Sequence, residues 1–246
     1  MLKKICILLP FLMLSFHDVS FAAFDATIPG VNLSSSEPGG VSTSIKIMLL
    51  LTILSVAPSI LLLMTSFTRI VIVLSFVRTS LGTQQMPPNQ VIIGLSLFLT
   101  LFIMGPVFSD INKEAYQPFM DGKLTQEQAL DTAAKPIKEF MAKHTREKDL
   151  NLFLDYSKQK KPETIDDIPL HVLVPAYSIS ELKTAFQMGF MIFLPFLIID
   201  MIVSSILMAM GMMMLPPVLI SLPFKILLFI LVDGWHLIVK SLLTSF

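Results

Sequence analysis

The sequence predicts an all-α membrane protein built from long kinked helical hairpins with a mostly helical extracytoplasmic insert. Hydrophobic residues make up 54% of the 246 residues and charged residues only 15%, a balance typical of membrane proteins. The apolar residues fall into runs interrupted by proline and glycine, which punctuate helices. Most of the charge lies in one block, residues 109–185, with 11 Lys or Arg and 13 Asp or Glu residues.

Residues 1–22 have the pattern of a cleavable signal peptide: two early lysines, an apolar core at 5–16 and small residues before position 23. An uncleaved membrane anchor is the alternative, but an apolar core of about 12 residues is short for a span. The only cysteine, Cys6, lies in this segment, so the mature chain is expected to have no disulfide or thiolate ligand. Residues 23–44 are rich in Ser, Gly and Pro and predict a flexible exported leader.

Residues 45–108 predict the first helical hairpin. The apolar run at 45–64 is long enough to cross a bilayer, and its apolar character continues to Val77, which predicts one long helix. Pro87 and Pro88 then break the helix. A second apolar run, at 91–108, predicts the returning helix.

Residues 109–185 predict a periplasmic hydrophilic insert. Thr125 and Gln128 have the spacing of a capping box, so a helix is expected to begin there. Ser178 and Glu181 repeat this spacing before an apolar run, which predicts the start of the third membrane helix. Four prolines are expected to cut the insert into short pieces: Pro136, Pro162, Pro169 and Pro175.

Residues 186–246 predict a second helical hairpin with a methionine-rich break. Gly211, Pro216 and Pro217 disfavour a continuous helix. Between them stand three consecutive methionines: Met212, Met213 and Met214. Methionine is unbranched and polarisable and repacks readily, so a ring of such loops predicts an adaptable hydrophobic constriction, a channel gasket. Simple packing is the rival interpretation, because the chain has 16 methionines.

The expected orientation follows from cleavage of the signal. The mature N-terminus and the insert lie outside, and the connection at 65–90 lies inside, in agreement with the positive-inside rule for Arg69 and Arg78. Cytoplasmic anchoring is the expected role of both arginines. A contact with a partner protein is the alternative.

Three further charges lie within or beside apolar runs and predict intramembrane or intersubunit polar contacts: Asp200, Lys225 and Asp233. A charge at that depth costs about 2.5–3.5 kcal/mol on insertion scales, so Asp200 is expected to act either as an ion relay or as a helix contact. Lys225 and Asp233 are too far apart to pair within one helix. Each is expected to meet another helix or subunit, or, for Lys225, to snorkel toward an interface.

Several classes of function lack sequence support. The net charge is zero, so there is no basic surplus for nucleic-acid binding. The histidines have no metal-ligand spacing, and no nucleophile or phosphate-binding motif is present. We therefore expect no cofactor and no enzymatic activity.

Four ordered segments closely resemble the FliP family of flagellar biosynthetic proteins: residues 64–78, 85–90, 211–217 and 222–235. The resemblance implies a subunit of the flagellar type III export gate in the bacterial inner membrane and flagellar basal body. It implies several copies assembled with FliQ and FliR into a channel for unfolded flagellar proteins, near the rod proteins. It also implies that Met212 to Met214 form the gasket around the passing substrate.

Three alternatives remain beside this interpretation. Virulence injectisomes use related export-gate subunits, although the signal and the leader are more similar to the flagellar branch. An ion-coupled small-molecule transporter would use Asp200 as its relay. A membrane-tethered soluble domain would depend on the block at 109–185 for its own binding activity.

Overall fold

The computed structural model describes residues 43–83, 86–157, 162, 164–212 and 214–246. The predicted signal peptide, and all but the last two residues of the predicted leader, lie outside this part of the chain. The chain divides into two compact units, Met1–Ser55 and Val56–Phe246, and the sites discussed below lie within the second. The described residues form helices and turns without strands, which confirms the all-α class.

The helices follow one another along the described chain in the following order. They are α1 (Thr43–Met64), α2 (Phe67–Leu81), α3 (Asn89–Ile103), α4 (Gly105–Ile111), a π-helical turn (Asn112–Tyr116), α5 (Gln117–Met120), α6 (Gln126–His144), α7 (Glu147–Ser157), α8 (Leu170–Ala209), α9 (Pro217–Leu231) and α10 (Gly234–Thr244).

The first apolar region is broken, although the sequence predicts one continuous helix through Val77. Helix α1 ends at Met64 and α2 begins at Phe67. A helix break leaves main-chain carbonyls without partners inside the helix, and here the hydroxyl of Tyr177 donates to the carbonyl of Thr65 at 3.0 Å. A side chain of the distant helix α8 thus stabilises the break, which explains why the local sequence does not reveal it.

Helices α2 and α8 run side by side in the same direction. Thr65 lies beside Tyr177 near one end, and Phe76 packs against Gly189 and Phe186 further along. Helices α3 and α9 return along them, so two hairpins share one core. That core contains the following buried residues: Ile70, Val73, Leu74, Val77, Leu81, Ile92, Ala185, Phe196, Phe229, Ile238 and Leu242.

The insert has its own small core, which includes the start of α8. Met141 and Leu154 from the insert pack with Val172, Leu173 and Tyr177 from α8. Because α8 contributes to both cores, the insert and the apolar hairpins share one continuous helix.

Helix α6 begins where the capping box predicts. The Thr125 side chain accepts from the main-chain nitrogen of Gln128, and the Gln128 side chain accepts from the nitrogen of Thr125. The expectation that prolines divide the insert is wrong at two positions, since Pro136 lies inside α6 and Pro175 inside α8. Proline removes one helical hydrogen bond, and burial of Pro136 offsets part of this cost.

The predicted start of the third membrane helix is also wrong. Helix α8 begins at Leu170, after Pro169, so Ser178 and Glu181 lie inside the helix. The capping-box spacing describes only four residues and does not exclude a helix that has already begun. Glu181 instead makes a tertiary contact, which is described below.

Among the described residues, Leu170–Ala209 is the one helix long and apolar enough to cross a membrane on its own. Two bent pairs of helices also qualify if each is counted as one span. One pair bends by 54° between Asn89–Ile103 and Gly105–Met120, and the other bends by 63° between Pro217–Leu231 and Gly234–Thr244. One apolar helix and two bent pairs agree with the predicted all-α membrane class, and the described residues do not form four straight spans.

Candidate functional site: a methionine-rich break and two ion pairs

Arg69 forms an ion pair with Glu181 in the interior of the protein. The two side chains are 3% and 0% exposed. The Arg69 Nε donates to Glu181 Oε2 at 2.7 Å and a terminal nitrogen of the guanidinium donates to Oε1, which makes the pair bidentate. Such pairs combine strong hydrogen bonds with a fixed geometry. Cytoplasmic anchoring, expected for Arg69, is therefore wrong, because this side chain is directed into the protein.

The position of Arg69 also changes the expected orientation. Its guanidinium lies 3.9 Å from the centroid of the Phe246 ring. Phe246 in turn stacks on Phe140 of the insert helix α6. Arg69 thus lies beside the insert, so the two cannot occupy opposite sides of a membrane as the positive-inside rule predicts.

Arg78 has a more modest environment at the other end of α2. The side chain is half-buried, and one terminal nitrogen donates to Asn89 Oδ1 at 3.1 Å. This hydrogen bond links the end of α2 to the first residue of α3. Between them, Gly82 closes α2 in a left-handed conformation with φ of 71°, and Pro87 and Pro88 precede α3.

A second ion pair joins α8 to α9. Lys225 Nζ donates to Asp200 Oδ2 at 2.6 Å, and Ser221 Oγ donates to Asp200 Oδ1 at 2.5 Å. Lys225 is 2% exposed, so it does not snorkel to an interface. The helix that it meets belongs to its own chain. Both oxygens of Asp200 have donors, which favours a helix contact over an ion relay.

Asp233 has no comparable role in the interior. It is exposed and lies at the bend between α9 and α10 in a left-handed conformation with φ of 51°. The next residue, Gly234, is buried, and a Cβ built there would clash with the ring of Phe229. The bend thus depends on the missing side chain of Gly234 more than on the charge of Asp233.

The methionine-rich break lies between α8 and α9. Helix α8 ends at Ala209, Gly211 is left-handed with φ of 74°, Pro216 precedes α9 and Pro217 is its first residue. Of the predicted gasket, Met213 lies outside the described residues, whereas Met212 is 42% and Met214 98% exposed. Met210, which was not among the predicted gasket residues, is 58% exposed. The break therefore exposes the side chains of Met210, Met212 and Met214.

The Asp200–Lys225 pair lies near the base of this break. Asp200 and Met210 are separated by about 15 Å along α8, given the helical rise of about 1.5 Å per residue. A charged contact at the base fixes α8 against α9, while the methionines beyond it are exposed. The arrangement is a soft apolar loop on a rigid support.

The insert is fixed to α8 by a polar cluster of its own. Asp149 Oδ2 accepts from Ser180 Oγ at 2.6 Å and from a terminal nitrogen of Arg146 at 2.5 Å. Burial favours a raised pKa for Asp149, but these hydrogen bonds and the positive charges of Arg146 and Lys183 outweigh it and hold the pKa below its usual value. No group of three or more metal-ligating side chains occurs among the described residues.

Sequence reasoning missed several residues of these contacts. Glu181 is an acidic residue next to an apolar run, the same signal that identifies Asp200, but its spacing from Ser178 favoured a helix cap. Ser221, Ser245 and Phe246 have no local pattern that separates them from other serines and phenylalanines in apolar helices. Their partners lie far away in sequence, up to 176 positions between Arg69 and Ser245.

Replacing Asp200 with asparagine is expected to lower stability by about 1.5–3 kcal/mol, the usual value of a charge-assisted hydrogen bond, while part of the function is retained. The amide still accepts from Ser221 but no longer neutralises Lys225. Thermal unfolding of the purified protein and a secretion assay measure the two effects. Asp131→Asn, at an exposed position on α6, is the control and should change neither.

An ion relay predicts a different result for Asp200→Asn. The Asp200 side chain is 24% exposed and lines an open surface pocket of about 420 Å³, so the relay alternative needs its own test. Complete loss of function with unchanged thermal stability would contradict the helix-contact interpretation and favour the relay.

Comparison with known proteins gives a consistent result. Residues 50–242 match the model of the FliP family. The flagellar biosynthetic protein FliP of Bacillus subtilis (strain 168) is 71% identical over 87% of this chain and 96% of its own length. The proteins of the same name from Pectobacterium carotovorum subsp. carotovorum and Aquifex aeolicus (strain VF5) are 51% and 50% identical, over 90% and 89% of this chain and 86% and 92% of their own. The chain belongs to the FliP family.

Proposed function

We propose that this chain is a non-enzymatic subunit of the flagellar type III protein export gate. Several copies assemble with FliQ and FliR into a channel for unfolded flagellar proteins. The assembly lies in the bacterial inner membrane and the flagellar basal body, next to the other export-apparatus and rod proteins, with the insert on the periplasmic side. Membership in a family whose members are named flagellar biosynthetic proteins supports the flagellar branch over the injectisome alternative.

The observation that carries this proposal is the exposure of the methionines at the break. In a single copy, Met210, Met212 and Met214 are 58%, 42% and 98% exposed, which supports the gasket interpretation over simple packing within the chain. Methionine has several rotatable bonds and no polar atoms that need a partner. Loops from several copies around one axis would close against each other or around a polypeptide at similar cost, which limits the passage of ions.

The apolar surface of the hairpins supports assembly into a larger complex. Exposed phenylalanine, methionine and leucine side chains occur on α3, α8 and α9, well beyond the break. Lipid covers such surfaces in part, and neighbouring subunits cover the remainder. Affinity purification from mild detergent, followed by native mass measurement, is expected to give several copies of this chain with FliQ and FliR.

Replacing Met212, Met213 and Met214 together with alanine is expected to leave assembly intact and to raise ion leakage several-fold. Alanine keeps the loop apolar but removes the flexible atoms that fill the constriction. Conductance of purified complexes in planar bilayers measures the leak, and native mass measures assembly. The matched control replaces three exposed methionines away from the break, Met48, Met120 and Met191, with alanine.

The two measurements separate the gasket from the assembly. Unchanged conductance of an intact complex would contradict the gasket role of the methionines, while the proposed export-gate function would stand. A chain that purifies as a solitary protomer without FliQ and FliR would contradict the proposed function itself.

A further inference from the structure

The Phe246 ring occupies a site built from two segments that are far apart in sequence. It stacks on Phe140, with ring centroids 6.1 Å apart and an interplanar angle of 14°. The His144 ring meets it at 5.2 Å and 60°. The Arg69 guanidinium also lies 3.9 Å from the Phe246 centroid, a distance at which a cation is attracted to the face of an aromatic ring.

The main chain of the same segment is bound as well. The Phe246 oxygen accepts from Lys143 Nζ at 3.1 Å and lies 3.3 Å from His144 Nε2. The carbonyl and the hydroxyl oxygen of Ser245 accept from one Arg69 nitrogen at 2.7 and 3.0 Å. Ring and main chain therefore bind to the same two segments, the start of α2 and the end of α6.

Arg69 connects these contacts to the buried ion pair. Its Nε and one terminal nitrogen face Glu181, and its other terminal nitrogen faces Ser245. The planar, forked guanidinium donates in fixed directions, so one side chain holds α8 and the end of α10 in a defined arrangement. If Ser245 moved away, a donor group of this nearly buried side chain would have no acceptor there.

We propose that Ser245 and Phe246 form a latch that ties the end of α10 to the insert and to the Arg69–Glu181 pair. The latch lies at one end of the α9–α10 segment. The Asp200–Lys225 pair holds the same segment on the other side of the bend, in the middle of α9. Because the segment is held on both sides of the bend, the 63° angle between α9 and α10 has a defined direction.

Hydrogen–deuterium exchange on the purified full-length complex tests the latch directly. Phe246→Ala is expected to raise amide exchange about 3- to 10-fold in residues 141–145 of the insert and in residues 238–244 of α10, in line with the strength of aromatic pairs. Tyr156→Ala, which truncates an aromatic side chain of the insert that is 82% exposed, is the control and should change neither segment.

A reciprocal variant makes the test independent of any single substitution. Phe140→Ala, in the insert, is expected to raise exchange in α10, which lies about 100 positions later. Phe246→Leu keeps an apolar side chain and serves in place of Phe246→Ala if truncation prevents folding. Exchange that rises in only one of the two segments, or in neither, overturns the latch.

The consequence for gating rests on the proposed function. If the latch fixes the support of the break, Phe246→Ala also raises ion leakage although all methionines are present. If exchange rises in both segments but ion leakage does not, the latch is supported and its effect on the gate is contradicted. Leakage that rises without any change in exchange at 141–145 contradicts the latch while the export function stands.

Discussion

Replacement of Glu181 with alanine is expected to prevent stable accumulation of the folded protein. Removing one partner of a buried ion pair costs about 3–5 kcal/mol, because the remaining charge has no counterion. Arg69 is 3% exposed, so its guanidinium would stay largely shielded from water after Glu181 is removed. The free energy of unfolding of a whole protein is only about 5–15 kcal/mol, so this single substitution is expected to remove a large part of it. Membrane accumulation and apparent Tm in detergent measure the effect.

The exposed pair of Lys123 and Asp121 provides the matched control for this prediction. Both side chains are more than half exposed, and surface pairs contribute little. Asp121→Ala should therefore leave accumulation and Tm almost unchanged. Equal behaviour of Glu181→Ala and Asp121→Ala would mean that the Arg69–Glu181 pair does not stabilise the fold.

Gly189→Ala is expected to destabilise the protein, although the same change within a helix is usually favourable. A Cβ at Gly189 would lie 2.5 and 2.6 Å from Phe76 Cγ and Cδ2. These atoms are at the root of the ring, so the side chain cannot simply rotate away. Overpacking of this kind costs about 1–3 kcal/mol. The apparent Tm should fall by on the order of 5 °C for a chain of this size.

Gly94 is the matched control on α3. A Cβ at Gly94 would have no neighbour within 4 Å, so Gly94→Ala should gain the ordinary helix propensity of about 0.5–1 kcal/mol. The two substitutions are identical in chemistry and opposite in expected sign. Unchanged or higher stability of Gly189→Ala would contradict the close packing of α2 on α8, whereas a loss at Gly94 would contradict the open space around that glycine.

Much of the fold could be predicted because the signals are local. Apolar runs indicate helices, and Gly211, Pro216 and Pro217 mark a break that depends on main-chain geometry within a few residues. The capping box at Thr125 is local in the same sense. Where local signals failed, tertiary contacts decided the outcome. The break after Met64 is stabilised by Tyr177, more than a hundred positions away.

The site could be predicted only in part. Sequence identified Asp200 and Lys225 as charges in apolar surroundings, because the cost of burying a charge is general. The sequence could not show that Asp200 and Lys225 pair with each other. Their contact depends on how α8 and α9 pack in the hairpin, and no residue near either charge indicates that packing. Arg69 was misassigned for the same reason. A charge between apolar runs fits an interfacial anchor and a buried ion pair equally well until its partner is known.

The unbroken length of α8 has a consequence for how the protein meets lipid. Its 40 residues extend about 60 Å, roughly twice the thickness of a hydrocarbon core of about 30 Å. Glu181 and Asp200 are about 28 Å apart along this column, so a bilayer that begins at one of them ends near the other. Acyl chains can surround only about half of the column at once, and the other half must be solvated or enclosed by neighbouring polypeptide.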